Sequence, residues 1–236
     1  MGKATNIKIH KGDITKLKVD CIVNAANNEL YGGSGVCGAI FDAAGYDDMT
    51  EACKEHGGCK TGKAVITPGF KLPAKHVVHA VGPIYRDGKG GEAKLLKSAY
   101  LEALGLAEEN GARSIAFPLI STGIFGYPKA EAIKIALDAI EQYQEKSKNP
   151  ISKITLCAFN DREEALLRVA LDYRSGKIKK MPPPGWDRFG SFGDEIIQFD
   201  TQEETDAWVI RQYKELGWPL DDEPDESEKP KPKKTK

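Results

Sequence analysis

No run of apolar residues in this chain approaches the roughly 18 that a membrane span requires, and the opening MGKATNIKIH lacks the apolar core of a secretory signal. The expected setting is therefore intracellular, in the cytoplasm, with no membrane partner. An excess of charge is missing too: 34 basic side chains face 35 acidic ones, a formal net charge of -1 in 236 residues. Without a basic surplus the chain as a whole offers no electrostatic footprint for nucleic acid, and basic patches interleaved with aromatics are lacking, which disfavours single-strand binding. Any anion has to be held locally.

A disulfide framework is also absent. Five cysteines, at 21, 37, 53, 59 and 157, are an odd number at irregular spacing in a chain too long to need stapling, so free thiols in a reducing compartment are expected. Cys53, His56 and Cys59 form C-x2-H-x2-C, half of a zinc pattern. No second pair follows, so a helix end with two half-buried thiols is expected, with no metal and no cofactor.

What is present is a recurrence of short apolar runs: CIVNAA (21 to 26), KAVITP (63 to 68), HVVHAVG (76 to 82), RSIAFPLI (113 to 120) and ISKITLCAF (151 to 159). Such runs are typical of buried strands. Between several of them lie helical patterns. LLKSAYLEALGLAEEN (95 to 110) stops at Gly111; Pro128 opens PKAEAIKIALDAIEQYQEK from the first-turn position that proline tolerates; DREEALLRVALDYRSG (161 to 176) begins with acids and ends at Arg174 and Gly176. The alternation predicts an α/β fold, a largely parallel sheet between helices, with function at the carboxyl ends of the strands. From 177 the composition changes. KIKKMPPPGWDRFG reads as a linker, and TQEETDAWVIRQYKELG (201 to 217) as a capped helix with Trp208, Val209, Tyr213 and Leu216 along one side, packed back on the main domain or offered to a protein partner. Six acids, five lysines and three prolines in the last sixteen residues predict a disordered tail. The expected division is a folded domain at 1–176, linker and helical appendage at 177–220, and tail at 221–236.

Two loops carry anion chemistry. YGGSGVCGAIF (31 to 41) puts bare backbone between a strand and a helix that begins near Gly35 or Val36, where amide N–H groups and the helix dipole favour a phosphate. Glycine-rich turns also serve packing, and no acidic residue about 20 positions later closes a dinucleotide fingerprint. The second loop, ISTGIFGYP (120 to 128), repeats the arrangement: Ser121 and Thr122 bring hydroxyls, Gly123 and Gly126 bare amides, Phe125 and Tyr127 aromatic faces suited to a sugar. Neither loop holds the lysine of a Walker-type ATPase. Asn24, Asn27 and Asn28 end a buried strand, where they either point at ligand hydroxyls or lock the loop. Asp13 follows the strand NIKIHK, as a ligand carboxylate or an ordinary turn acid.

Together GDIT, VDCIVNAANN, GGSGVCGAI, CKTGKAVITPGFKLPAKHVVHAVGP and ISTGIFGYP, in this order, resemble a macrodomain of the MacroD type over about residues 5 to 175. The resemblance implies a three-layer αβα sandwich with a mixed, largely parallel central sheet. It also implies a cleft for ADP-ribose or an ADP-ribosylated protein, and an activity either of reading ADP-ribose or of hydrolysing mono-ADP-ribosyl esters and O-acetyl-ADP-ribose. Carried over, Asp13 would accept the adenine amino group beside the Ile14 N–H, and Phe159 would lie against the base with Asn160 nearby. Gly33, Ser34, Gly35 and Val36, with Ser121, Thr122, Gly123, Ile124, Phe125 and Gly126, would enclose the phosphates. Asn24 and Asn27 would address the distal ribose, with Phe125 against its face.

Hydrolytic MacroD-type members show G-V-D-G-x-I-H after the glycine loop, and here Cys37 and Phe41 stand at the acidic and histidine positions. A thiol is a poor general base at neutral pH. Three readings of Cys37 stay open: a thiolate activated at a helix N-terminus, an inert residue in a domain that only binds, or a pocket wall beside a water held by Asn27 and a substrate phosphate. Asp42, one position past Phe41, is expected to point away from the cleft.

Overall fold

The structure, a computed structural model, describes residues 7–177; the 201–217 helix and the charged tail lie outside the described residues. Its elements run β1 (Ile7–Lys11), a single 3-10 turn (Ile14–Lys16), β2 (Cys21–Ala25), α1 (Gly35–Ala44), α2 (Tyr46–Lys54), β3 (Ala64–Pro68), β4 (His76–Ala80), α3 (Glu92–Glu109), β5 (Ser114–Phe117), α4 (Lys129–Lys146), β6 (Lys153–Ala158) and α5 (Asp161–Ser175). The six strands order as β1-β6-β5-β2-β4-β3. All neighbours are parallel except the antiparallel pair β3 and β4, so the sheet is mixed and largely parallel as expected.

Side chains alternate across each strand, and that alternation sorts the core into two layers. Cys21, Val23, Val78, Ala80, Ile115, Phe117, Ile154 and Leu156 face α3, α4 and α5. Ile22, Val77, Ala116 and Cys157 face α1 and α2. Both faces are covered, which is why the central strands read as continuous apolar runs. The result is helices on both sides of one sheet. Among the described residues no helix is long and apolar enough to cross a membrane.

Helix ends follow local chemistry. Asn160 caps α5 by accepting from the Glu163 N–H at 3.0 Å, Glu163 Oε2 returns to the Phe159 N–H at 2.8 Å, and Gly176 closes the other end at φ 78°. Pro128 stands at the N-cap of α4, one place before the first-turn position expected. The apolar helix after the glycine loop is two helices: Gly45 at φ 101° breaks the chain, and Asp47 and Asp48 in the next turn favour a fresh start against the helix dipole. The sequence reading offers no separate helix there.

Candidate functional site

Both glycine-bearing loops leave the carboxyl ends of adjacent parallel strands, β2 and β5. From there the chain departs to opposite faces of the sheet, since α1 packs in one layer and α4 in the other. A crevice at such a divergence is where open α/β sheets take ligands. On the far side of β5 come β6, which Phe159 directly follows, and β1, followed two residues on by Asp13; the Gly12 N–H donates to Ala158 O at 2.9 Å and ties those two ends together. Along one sheet edge the order is therefore Asp13, Phe159, the second loop, the first loop.

In the first loop Gly33, Ser34 and Gly35 are exposed, and Val36 is half-buried. Ser34 is the N-cap of α1 but makes no side-chain cap bond. The loop folds back on its own helix so closely that a Cβ on Gly38 would lie 2.5 Å from Gly33 O. Asn27 locks it: its Nδ2 donates to Tyr31 O at 2.9 Å and its Oδ1 accepts from the Tyr31 N–H at 3.2 Å. Asn28 ties the turn to the next one through Cys59 O at 2.9 Å and Thr61 Oγ1 at 3.2 Å.

The second loop holds a strained residue, Ser121 at φ 68°. Its hydroxyl is buried and makes no hydrogen bond among the described residues. It presses on Gly82, where a Cβ would lie 2.1 Å from Ser121 Oγ. Thr122 Oγ1 donates to Leu119 O at 2.9 Å. Gly123, Ile124 and Gly126 are exposed, Ile124 to 85%, and half-buried Phe125 accepts the Tyr85 N–H at 2.8 Å. Tyr127 is a correction: it is 3% exposed and packs on Tyr85 with ring centroids 4.8 Å apart, so it builds core and offers no face to a sugar.

At the β1 and β6 end, exposed Asp13 holds Thr15 through one oxygen, accepting the backbone N–H at 2.9 Å and the hydroxyl at 2.7 Å. The Thr15 hydroxyl holds its carboxyl below the usual range. Its other oxygen makes no hydrogen bond among the described residues. Ile14 is buried beside it, while Phe159 is 84% exposed, an unsupported aromatic face. The Asn160 side chain is engaged as a helix cap, and it is Glu163 that accepts the Phe159 N–H.

Under the first loop runs a buried polar chain that the sequence reading missed. Strand register puts Asn24 of β2 beside His79 of β4, both fully buried. Asn24 Nδ2 lies 3.1 Å from His79 Nδ1 and 3.5 Å from Cys37 Sγ. An amide NH2 only donates, so Nδ1 accepts and the imidazole proton sits on Nε2, 2.9 Å from Thr67 Oγ1; that hydroxyl passes on to Met49 Sδ at 3.4 Å. Cys37 Sγ reaches Tyr31 O at 3.7 Å, the same carbonyl that Asn27 holds. Burial pushes His79 down to about 3, with His56 adding to the effect. Phe41 closes the chamber edge-on to His79, centroids 6.1 Å apart.

Cys37 is 6% exposed, enclosed by Asn24 and the Tyr31 carbonyl. Asp42 lies on the exposed side of α1. The C-x2-H-x2-C residues look different ways: Cys53 toward His79, His56 toward Ile66 O, Cys59 toward Lys60 O. No metal-binding group occurs among the described residues. The thiols of Cys53 and Cys59 are fully rather than half buried, and burial pushes Cys53 up to about 11.

The model of the Macro domain family matches residues 23–136. A macro domain-containing protein of Mesorhizobium japonicum is 49% identical over 177 residues, 75% of this chain and 100% of its own length. The ADP-ribose glycohydrolase MACROD1 of Rattus norvegicus is 46% identical over 168 residues, 71% of this chain and 65% of that protein. Among solved structures, the Oceanobacillus iheyensis macrodomain with ADP superposes with a TM-score of 0.69 at 39% identity, covering 75% of this chain and 96% of the other.

Proposed function

The chain belongs to the macro domain family, and from that premise we propose that it binds ADP-ribose along the β1-to-β2 edge and hydrolyses mono-ADP-ribosyl esters on proteins, or O-acetyl-ADP-ribose. The observation that carries this reading is the adjacency of β2 and β5 with their helices diverging. It brings the loop amides of Gly33 to Val36 and of Gly123 to Phe125 to one crevice, in line with Phe159 and Asp13, while Thr122 and Gly126 donate within their own turn to Leu119 O at 3.3 Å and Gly123 O at 2.9 Å. That sequence of parts suits a ligand made of base, diphosphate and second sugar. Asp13 takes the base amino group through its free oxygen, Phe159 stacks on the base, and the amides of Gly33 to Val36 and Gly123 to Phe125 take the phosphates, with the rest of Ser121 to Gly126 enclosing them.

Hydrolysis then proceeds without a carboxylate in the first turn of α1, which has none. Asn27 retains one amide hydrogen and one lone pair beyond its bonds to Tyr31, enough to hold a water against a substrate phosphate oxygen. Cys37, enclosed and neighboured by a carbonyl, shapes the wall. The rat relative's name, ADP-ribose glycohydrolase, supports this activity. The test is incubation with a mono-ADP-ribosylated protein and with O-acetyl-ADP-ribose. Product from either is expected, and none above background at high protein concentration removes the enzyme reading.

The second reading, a module that binds ADP-ribose without cleaving it, is favoured by one observation: Cys37 and Phe41 are both buried where an acid and a histidine would act. It expects a calorimetric signal for ADP-ribose that Asp13→Ala abolishes, with no catalysis. Cys37→Asp separates the two, since a large gain of hydrolysis identifies the missing carboxylate as the limit.

A further inference from the structure

We propose that His79, buried beneath the first glycine loop, is the positioning residue of this site, holding Asn24 in one amide orientation and, through Asn24 and Cys37, holding the glycine loop over the end of β2. The proposal rests on the ADP-ribose reading for its ligand but on geometry for its mechanism. A histidine inside the apolar run HVVHA has no solvent to satisfy it, and a buried ring nitrogen without a partner costs about 1–3 kcal/mol. Here both ring nitrogens are satisfied, from opposite sides and by neighbouring strands: Asn24 on β2 donates to Nδ1, and Nε2–H donates to Thr67 on β3.

The consequence falls on Asn24. Its two amino hydrogens are used, one on His79 and one on Cys37, while its carbonyl oxygen is buried with no hydrogen bond among the described residues. The ring's own tautomer is set from its far side: the Thr67 hydroxyl donates to Met49 Sδ at 3.4 Å, which leaves its oxygen to accept from Nε2–H at 2.9 Å, so Nδ1 is the acceptor that holds the Asn24 amino group at 3.1 Å. From Asn24 the chain continues through Cys37 to the Tyr31 carbonyl and Asn27. The loop that carries Gly33 to Gly35 is thus fastened at Tyr31 to a ring on β4, the second strand away from β5. A protonated ring would present a donor to a donor and break the chain at its first link. The titratable groups facing it are Cys53 along the ring edge, with Cys37 behind Asn24 and His56 nearby; none is a carboxylate that would stabilise an imidazolium, and burial keeps the ring neutral.

Two measurements on the full chain decide this. Imidazole nitrogen shifts of the wild-type protein are expected to show His79 with Nδ1 bare and Nε2 protonated, unchanged from pH 8 to pH 5; a protonated Nδ1, or titration in that range, overturns the proposal. ADP-ribose titrations are expected to show affinity lowered at least tenfold by His79→Phe and restored to within about threefold by His79→Gln, whose amide keeps an acceptor and a donor. In an Asn24→Ala background His79→Phe is expected to cost nothing further. Equal losses in both backgrounds, or wild-type affinity in His79→Phe, overturn it. Should His79→Phe fail to fold, the nitrogen shifts and the His79→Gln titration carry the decision. Wild-type protein that ignores ADP-ribose removes the functional reading instead, and the nitrogen shifts alone then decide whether His79 orients Asn24.

Discussion

The two faces of the sheet are built from different material. The layer under α3, α4 and α5 is aliphatic and aromatic almost throughout, with Tyr100 and Phe117 packed at 5.2 Å and the Tyr100 hydroxyl turned back to the Ile120 N–H at 3.1 Å. The layer under α1 and α2 holds Cys37, Cys53, Cys59, Cys157 and Met49 in its apolar cluster, and the Asn24, His79 and Thr67 chain runs among them. Apolar packing supplies stability in proportion to area, whereas a satisfied buried polar chain adds little net energy and specifies one arrangement. One face therefore holds the domain together, and the other sets the pose of a loop.

The largest test of that contrast is Phe117→Ala, which removes a fully buried ring from the apolar face. A loss of about 3–5 kcal/mol is expected in urea unfolding; a loss under 1 kcal/mol would erase the distinction between the layers. Next comes acid. Burial pushes His79 down to about 3 in the folded protein, against about 6.5 for a free imidazole, so between those values the unfolded chain takes up a proton that the folded one refuses, and stability falls as pH falls. From pH 7 to pH 5 the loss from this group is about 2 kcal/mol, and His79→Gln flattens it. The carboxyl of Asp20, held below its usual range chiefly by Lys75, loses its contribution only below the ordinary carboxylate range and so stays out of that window.

Smaller still is Gly38→Ala. Helix propensity favours alanine by about 1 kcal/mol, yet the methyl meets Gly33 O at 2.5 Å. Thermal stability is expected to change little while ADP-ribose affinity drops several-fold, because the loop has to shift. The smallest effect belongs to Lys134→Ala, which breaks an exposed pair with Asp138 one helical turn away; at most about 0.5 kcal/mol and no change in ligand affinity are expected.

Much of the architecture was legible because buried parallel strands are apolar on both faces and helix ends carry their own signals: Asn160 with Glu163 at the start of α5, Gly176 at its end. The glycine loops were legible as turns between a strand and a helix, though bare backbone there serves packing as well as ligands, as Gly38 against Gly33 O shows. What stayed hidden depended on pairing between strands. Nothing in HVVHAVG announces that His79 meets Asn24, because that contact exists only once β2 and β4 lie in register. Tyr127 misled for a related reason: its neighbour Tyr85 is distant in sequence, and without it an aromatic beside a glycine loop reads as a ligand platform. The break at Gly45 was invisible because a lone glycine in an apolar stretch is tolerated inside helices as often as it ends them.

The pairing of β1 with β6 has a bearing on how the cleft comes into being. Asp13 and Phe159 follow strands from opposite ends of the folded segment, fastened also by the ion pair between Lys11 and Asp161, 150 positions apart. The half that would receive a nucleobase is closed by the longest loop in the domain, while the two glycine turns can meet as soon as β2 and β5 associate. During synthesis, the two glycine turns can thus come together before Asp13 and Phe159 are brought side by side.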